Sequence, residues 1–172
     1  MDSLKSLIRD IPDFPKEGII FKDITPVLSD SVALQKMINT LMERYQDKSI
    51  DIVVGIEARG FLFSAALAYA LGAGTVMVRK PGKLPYETFS KTYSLEYGED
   101  TIEIHQDALK PGQNILLIDD VLATGGTMAA TVDLVKTNFD VNIIEAAFLM
   151  ELEFLKGRDK LPDVPVFAMI QY

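Results

Sequence analysis

Apolar positions along this chain fall into short continuous runs separated by longer stretches of helical length, and that alternation predicts the fold. Ile50 to Val54, Thr75 to Arg79, Ile115 to Ile118, Ile143 to Met150 and Pro165 to Ile170 have strand length, many β-branched residues and few polar ones. Strands that are covered on both faces of a parallel sheet read this way. Phe61 to Leu71 and Met128 to Asn138 lie between strands and read as helices, while Ser31 to Tyr45 is an amphipathic helix. The expected architecture is α/β, a parallel sheet flanked by helices. Ahead of it, a short helix is expected from Ser3 to Arg9, and Ile11 to Pro26 is broken by prolines.

One stretch changes period. From Pro85 to Glu103, Tyr93, Leu95 and Tyr97 alternate with Ser94 and Glu96, Ile102 and Ile104 alternate with Glu103, and Gly98-Glu99-Asp100 lies between. Period two on both sides of a turn predicts a hairpin standing off the sheet, which serves either as a lid or as decoration. No repeat, low-complexity segment or linker divides the 172 residues, so a single domain over residues 1–172 is expected, burying about 70% of its unfolded surface.

Composition narrows the classes. The net charge of −8 argues against a nucleic-acid binder, which needs basic groups to replace phosphate counterions. With no cysteine the chain has no thiol nucleophile, disulfide or Cys-zinc site. The start, Met1-Asp2-Ser3-Leu4-Lys5, lacks an apolar signal region, so a cytoplasmic location is expected. Gly60 to Val78 is uncharged and long enough to span a membrane. Gly72 and Gly74 break it into a buried helix and a buried strand, and no membrane partner is expected.

The chemistry concentrates in Ile115 to Thr127, ILLIDDVLATGGT. A buried strand ends at two carboxylates, Asp119 and Asp120, at the sheet edge where open α/β folds bind ligands. There they can accept hydrogen bonds from vicinal hydroxyls or hold a divalent ion. Ala123, Thr124, Gly125, Gly126 and Thr127 follow, a small-residue loop whose backbone N–H groups can converge on an anion at the start of a helix. A sugar phosphate fits both halves. No Walker sequence occurs, and Gly72-Ala73-Gly74 lacks the third glycine of a dinucleotide fingerprint. Arg79, Lys80 and Lys83, with Arg59, form the one local cationic cluster; Arg79 directly follows a strand, whereas Lys80 reads as part of a solvated turn. The loop Glu57-Ala58-Arg59-Gly60 taken alone reads equally as an anion site or a capped turn.

The acidic pair with its Thr-Gly-Gly-Thr loop resembles the ribose-phosphate signature of the type I phosphoribosyltransferases. Three further stretches resemble the adenine branch of that family: Ile11-Pro12-Asp13-Phe14-Pro15 with Gly18 to Ile24, Gly55 to Phe61, and Arg79 to Pro85 with Tyr93 to Gly98. The chain ends match as well, at Glu151-Leu152, Leu155 to Arg158 and Gln171-Tyr172.

The resemblance implies a Mg²⁺-dependent purine-salvage transfer from phosphoribosyl diphosphate to adenine, giving AMP and diphosphate, by a homodimer. It implies that Asp119 and Asp120 hold the ribose hydroxyls and that Ala123, Thr124, Gly125, Gly126 and Thr127 cradle the 5-phosphate. Glu57, Ala58, Arg59 and Gly60 would bind diphosphate with Arg79 and Lys83, Arg79 serving either its own site or the neighbouring subunit's. Mg²⁺ would be held by substrate diphosphate and ribose hydroxyls, with no direct protein ligand assigned. Ile20, Phe21 and Lys22 would frame adenine within a hood formed by residues 1–30; Phe21 without the resemblance reads as core. Glu96, on a flexible lid at residues 85–104, would be the general acid/base, and without the resemblance reads as an exposed strand residue. Lys22 replaces a frequent arginine and Glu57 a frequent aspartate. His105, the sole histidine, is read as structural. Two rival readings are a transferase for guanine, hypoxanthine or orotate, and a regulator that senses the sugar diphosphate without turning it over.

Overall fold

The computed structural model describes residues 2–94 and 98–172. In chain order its elements are α1 (Asp2–Lys5), β1 (Arg9–Pro12), β2 (Ile20–Asp23), α2 (Thr25–Ser29), α3 (Ser31–Tyr45), β3 (Ile52–Ile56), α4 (Gly60–Leu71) and β4 (Gly74–Val78). Then come β5 (Thr88–Ser94), β6 (Glu99–His105), β7 (Asn114–Leu122), α5 (Gly126–Asn138), β8 (Asn142–Glu151) and β9 (Val166–Gln171), with two 3₁₀ turns, Glu153–Leu155 and Gly157–Lys160, before β9. Five strands form one sheet in the order β4-β3-β7-β8-β9, and each pairing is parallel.

The apolar runs are continuous because the sheet is covered twice. Leu116 and Ile118 of β7 point into a core shared with α3 and α4, while Ile115 and Leu117 point into a second core shared with α5 and the hairpin. Successive strand residues face opposite sides, so only an unbroken apolar run satisfies both. Helix α3 occupies the predicted span because Asp30 caps it, its side chain accepting from Ala33 N–H at 2.8 Å. Helix α4 lies directly on β3: a methyl on Gly55 would meet Ser64 Oγ at 2.3 Å. That close approach sets the start of α4 over the end of β3.

Two buried carboxylates on β8 anchor the periphery. Glu145 accepts from Arg44 Nε and Nη2, each at 2.8 Å, and from the Tyr45 hydroxyl at 2.6 Å, tying α3 to the amino half of the strand. Glu151, at the other end, accepts from Arg158.

Three expectations are corrected. The strand holding the acidic pair continues to Leu122, so Asp119 and Asp120 lie inside β7 and not after it. The long partner β8 keeps pairing as far as Leu122↔Glu151, whereas β3 stops pairing at Gly55↔Ile118, which opens one edge of β7 just where the carboxylates begin. The first helix ends at Lys5, and Arg9 begins a strand paired antiparallel with β2, held by Arg9 on Asp23 at 2.6 Å. The hairpin does not stand off the sheet. Ile102 and Ile104 are buried in the second core, Phe89 meets Phe139 edge-to-face at 5.6 Å, and Arg79 and Glu103 exchange backbone hydrogen bonds at 2.9 and 2.7 Å. Its apolar face had to be covered, and α5 with the end of β4 covers it.

Candidate active site

The carboxyl ends of β3, β4 and β7 meet at one cleft, where each strand delivers a different chemistry. Beyond β3 the chain turns through Glu57, Ala58 and Arg59 into α4, with a cis peptide bond between Glu57 and Ala58. Beyond β4 come Arg79 and Lys80, and the open edge of β7 presents Asp119 and Asp120. All of these line a cavity of about 230 Å³. A second hollow of about 80 Å³ adjoins it, enclosed by Leu122 to Met128, and the two share Asp119, Val121 and Thr127.

The smaller hollow sits at the start of α5. Gly125 is the residue before the helix, with φ of 76°, and no side chain caps it. The first amides of a helix have no intrahelical acceptor, so this end presents N–H groups and the positive end of the helix dipole to the hollow. Glycine is required at 125 twice over: the backbone is left-handed, and a Cβ there would meet Gly157 O at 2.3 Å.

The two carboxylates are held under electrostatic stress. Burial, and then the adjacent Asp120 charge, push the Asp119 carboxyl well above the ordinary carboxylate range, although its Oδ1 accepts from Asp120 N–H at 2.8 Å. Burial also raises Asp120, opposed chiefly by Arg59, whose Nε is 2.6 Å from Asp120 Oδ2. The N–H is not aimed at that oxygen, and Asp120 Oδ2 is buried without a hydrogen bond. A buried acceptor left unsatisfied costs about 1–3 kcal/mol, which a bound hydroxyl donor or cation would relieve. Among the described residues no group of three or more His, Cys, Asp or Glu side chains is placed to hold a metal by itself. A metal here would take its remaining oxygens from water or a bound ligand.

The cationic groups are arranged differently from the sequence expectation. Arg79 is spanned by Glu57, Nε to Oε2 at 3.2 Å, and also donates to Lys83 O at 3.1 Å. Burial would raise Glu57, but hydrogen bonds from Lys80 N–H and Arg79 outweigh it and hold the carboxyl below its ordinary value. Lys83 is exposed and does not line the cavity. Lys80, expected in a solvated turn, does line it, and its ammonium pairs with Asp100 of the hairpin. Asp100 also accepts from the Tyr93 hydroxyl at 3.2 Å, and that hydroxyl lies 3.0 Å from Thr127 Oγ1. Lys80, Asp100 and Tyr93 thus join the hairpin to both cavities and were missed. The available signals were a lysine directly after a strand at the ligand-binding edge and a tyrosine on the apolar face of the period-two hairpin.

The hood reaches the same cleft through Phe21. Its ring lies 5.4 Å from the Arg59 guanidinium and 5.2 Å, edge-on, from Phe14, so it is not a core residue. Ile20 is exposed, and the Lys22 ammonium turns away to Asp10 Oδ1 at 2.7 Å and the Tyr172 ring. Neither lines the cavities. Glu96, the expected acid/base, lies outside the described residues.

Residues 28–170 match the phosphoribosyl transferase domain family. Over all 172 residues the chain is 63% identical to the adenine phosphoribosyltransferase of Trichlorobacter lovleyi and 60% identical to that of Geobacter metallireducens, covering 100% of each. The crystal structure of adenine phosphoribosyltransferase from Thermoanaerobacter pseudethanolicus matches with a TM-score of 0.95 at 50% identity, covering 99% of both chains. The Saccharomyces cerevisiae enzyme, complexed with an imino-altritol bisphosphate and adenine, matches with a TM-score of 0.91 at 46% identity, over 98% of this chain and 97% of that one. Similarity of this extent, along the whole chain and in three dimensions, places the chain in the phosphoribosyltransferase family and, within it, among the adenine phosphoribosyltransferases.

Proposed function

We propose that the two adjoining cavities are where this adenine phosphoribosyltransferase binds phosphoribosyl diphosphate and transfers its sugar to adenine, giving AMP and diphosphate. The observation that carries this reading is their junction. A phosphate-sized hollow at a helix start opens, through Asp119 and Thr127, onto a larger cavity that holds a stressed carboxylate pair and three cationic side chains, Arg59, Arg79 and Lys80. The 5-phosphate occupies the hollow on backbone N–H groups of Ala123 to Thr127, with Thr124 and Thr127 hydroxyls beside them. The ribose 2- and 3-hydroxyls donate to Asp119 and Asp120, satisfying Asp120 Oδ2. The bisphosphate and adenine bound to the yeast relative support one anion at each end of a sugar-like ring.

Diphosphate then lies against the Glu57 to Gly60 turn, near Arg59, Arg79 and Lys80. Breaking the C1–oxygen bond leaves the sugar carbon electron-poor and the diphosphate more negative; donors fixed beforehand stabilise that charge without reorganising, each worth about 3 kcal/mol. Asp119 and Asp120, with the unsatisfied Asp120 Oδ2, are the residues that would face a bound Mg²⁺, which would supply neutralisation of part of the same charge. Adenine N9 forms the new bond to C1 from the face opposite the leaving group. Phe21, held over Arg59, supplies a stacking wall for the base, Ile20 and Lys22 frame its edge through their backbone, and Glu96 takes the proton that N9 loses.

The assembly we propose is a homodimer. Helix α4 is apolar on its outer side as well as its inner, with Leu62 53% and Tyr69 91% exposed, and Met77 of the sheet-edge strand β4 is exposed too. A partner covering that face would also cover an unpaired strand edge. No helix of the described residues is long and apolar enough to cross a membrane.

A substrate panel tests the reading. With phosphoribosyl diphosphate present, adenine is converted to AMP, while guanine, hypoxanthine and orotate are turned over at least about 10²-fold less efficiently, the discrimination expected when a wrong base leaves buried polar groups unpaired. Equal use of guanine would remove the adenine assignment, and diphosphate-sugar binding without turnover would favour a sensor.

A further inference from the structure

The segment between β8 and β9 touches the Ala123 to Thr127 loop backbone to backbone. A Cβ on Gly125 would meet Gly157 O at 2.3 Å, and a Cβ on Gly157 would meet Ala123 O at 2.3 Å, so neither glycine can carry a side chain without moving the other strand of chain. Nothing flexible lies between them to absorb a shift. The position of Gly157 therefore sets that of Ala123 to Gly125.

Gly157 is itself fixed by its neighbour. Arg158 donates from Nε to Glu151 Oε1 and Oε2 at 2.7 and 2.9 Å, from Nη2 to Oε2 at 2.7 Å, and from Nη1 to Val166 O at 2.9 Å. The Glu151 side chain is 3% exposed, and among the described residues Arg158 is the cation that pairs with it. Glu151 ends β8, where Leu152 N–H donates to Leu122 O at 2.9 Å, one residue before the loop. The guanidinium thus spans the ends of two strands and holds the turn between them against the loop. Planar, several-bonded arginine–carboxylate contacts define orientation as well as contact.

We propose that Arg158, held by Glu151, is a positioning residue for the 5-phosphate: through Gly157 it sets the backbone amides of Ala123 to Gly125 at the distance the phosphate needs. The inference rests on the reading of that loop as the phosphate site. Arg158 touches neither cavity, so its effect falls on sugar-phosphate binding and not on the base.

The structure supplies a matched control. Arg44 of α3 and Glu145 of the same strand β8 form the same kind of buried carboxylate–arginine pair, and neither lines either cavity. Arg158→Gln and Arg44→Gln are compared for Tm, for KM of phosphoribosyl diphosphate and of adenine, and for ribose 5-phosphate affinity by calorimetry. Both lower Tm. Only Arg158→Gln raises the KM for phosphoribosyl diphosphate and weakens ribose 5-phosphate, by about tenfold or more, as a sub-ångström displacement of a binding group can. Its KM for adenine stays within about twofold, a change below ~0.4 kcal/mol. Should Arg158→Gln not fold, Arg158→Lys, which keeps the charge and loses the planar fork, is read by the same comparison. If the arginine-158 variants shift ribose 5-phosphate affinity no more than Arg44→Gln does, the proposal is overturned. Gly125→Ala separates the two readings. Weak ribose 5-phosphate binding in that variant with normal binding in the Arg158 variants overturns only the brace, and normal binding in Gly125→Ala overturns the loop assignment and the brace with it.

Discussion

Arg59 Nε lies 2.6 Å from Asp120 Oδ2 without directing a hydrogen bond at it. The pair therefore works as a charge contact across the cleft, joining the turn after β3 to the open edge of β7. Arg59 is also the main influence that lowers Asp120 against the effect of burial. Arg59→Gln removes a donor to the leaving diphosphate and leaves Asp120 to protonate at higher pH. We expect kcat/KM for phosphoribosyl diphosphate to fall by about 10²-fold or more. The acid limb of its pH profile moves to higher pH, because the carboxylate must be ionised to accept ribose hydroxyls. An unmoved acid limb would show that Arg59 does not govern Asp120.

Asp119 offers a test in which stability and activity move in opposite directions. Its carboxyl is raised in the folded protein, first by burial and then by Asp120. A raised carboxyl binds its proton more tightly when folded, so the wild type loses stability as pH rises from the ordinary aspartate range through the folded-state value, and the loss is constant above it. Asp119→Asn keeps the oxygen that accepts Asp120 N–H and removes the charge. The variant has a higher Tm than wild type at pH 8, the gap closes as pH approaches about 4, and transferase activity falls. Thermal scans across that range check the sign, and a lower Tm at pH 8 would contradict it.

The exposed apolar face of α4 and β4 predicts the assembly state. Light scattering of the wild type gives twice the chain mass of 19.1 kDa. Tyr69→Glu combined with Leu62→Glu places charge on that face and yields monomers with the helix content of wild type. A wild-type mass equal to one chain would refute the dimer.

The proposed mechanism gives proton transfer at adenine N9 to Glu96. Glu96→Gln preserves shape and removes the basic group, so kcat falls by about 10²-fold or more with little change in affinity for phosphoribosyl diphosphate. Glu99, exposed at the start of β6, is the control, and Glu99→Gln turns over like wild type. Identical kcat values for the two variants would assign proton transfer to water.

Much of this cleft is legible in the chain alone because its parts are local. A doubly covered strand needs an unbroken apolar run, so Ile115 to Ile118 marks β7, and the acids and glycines that follow are adjacent in sequence as in space. What the pattern hides is pairing between distant segments. The strand β1 is four residues long and contains Pro12, and its partner β2 lies beyond a proline, so neither shows a period. Lys80 is indistinguishable from a solvated lysine until Asp100 is brought to it by the docked hairpin. The contact of Gly157 with Gly125 spans residues that no spacing rule connects, and only the close approach reveals why both are glycine.

In the proposed function the Asp119–Asp120 edge and the Ala123 to Thr127 loop hold the sugar phosphate during transfer to adenine. Conversion of labelled adenine to AMP, measured with phosphoribosyl diphosphate and Mg²⁺ for wild type and Asp120→Asn, tests it most directly. Wild type forms AMP and loses that activity on adding EDTA, and Asp120→Asn shows a fall of about 10²-fold or more in kcat/KM for phosphoribosyl diphosphate, the size seen when a positioned active-site group is removed. Wild-type turnover matched by Asp120→Asn would contradict it.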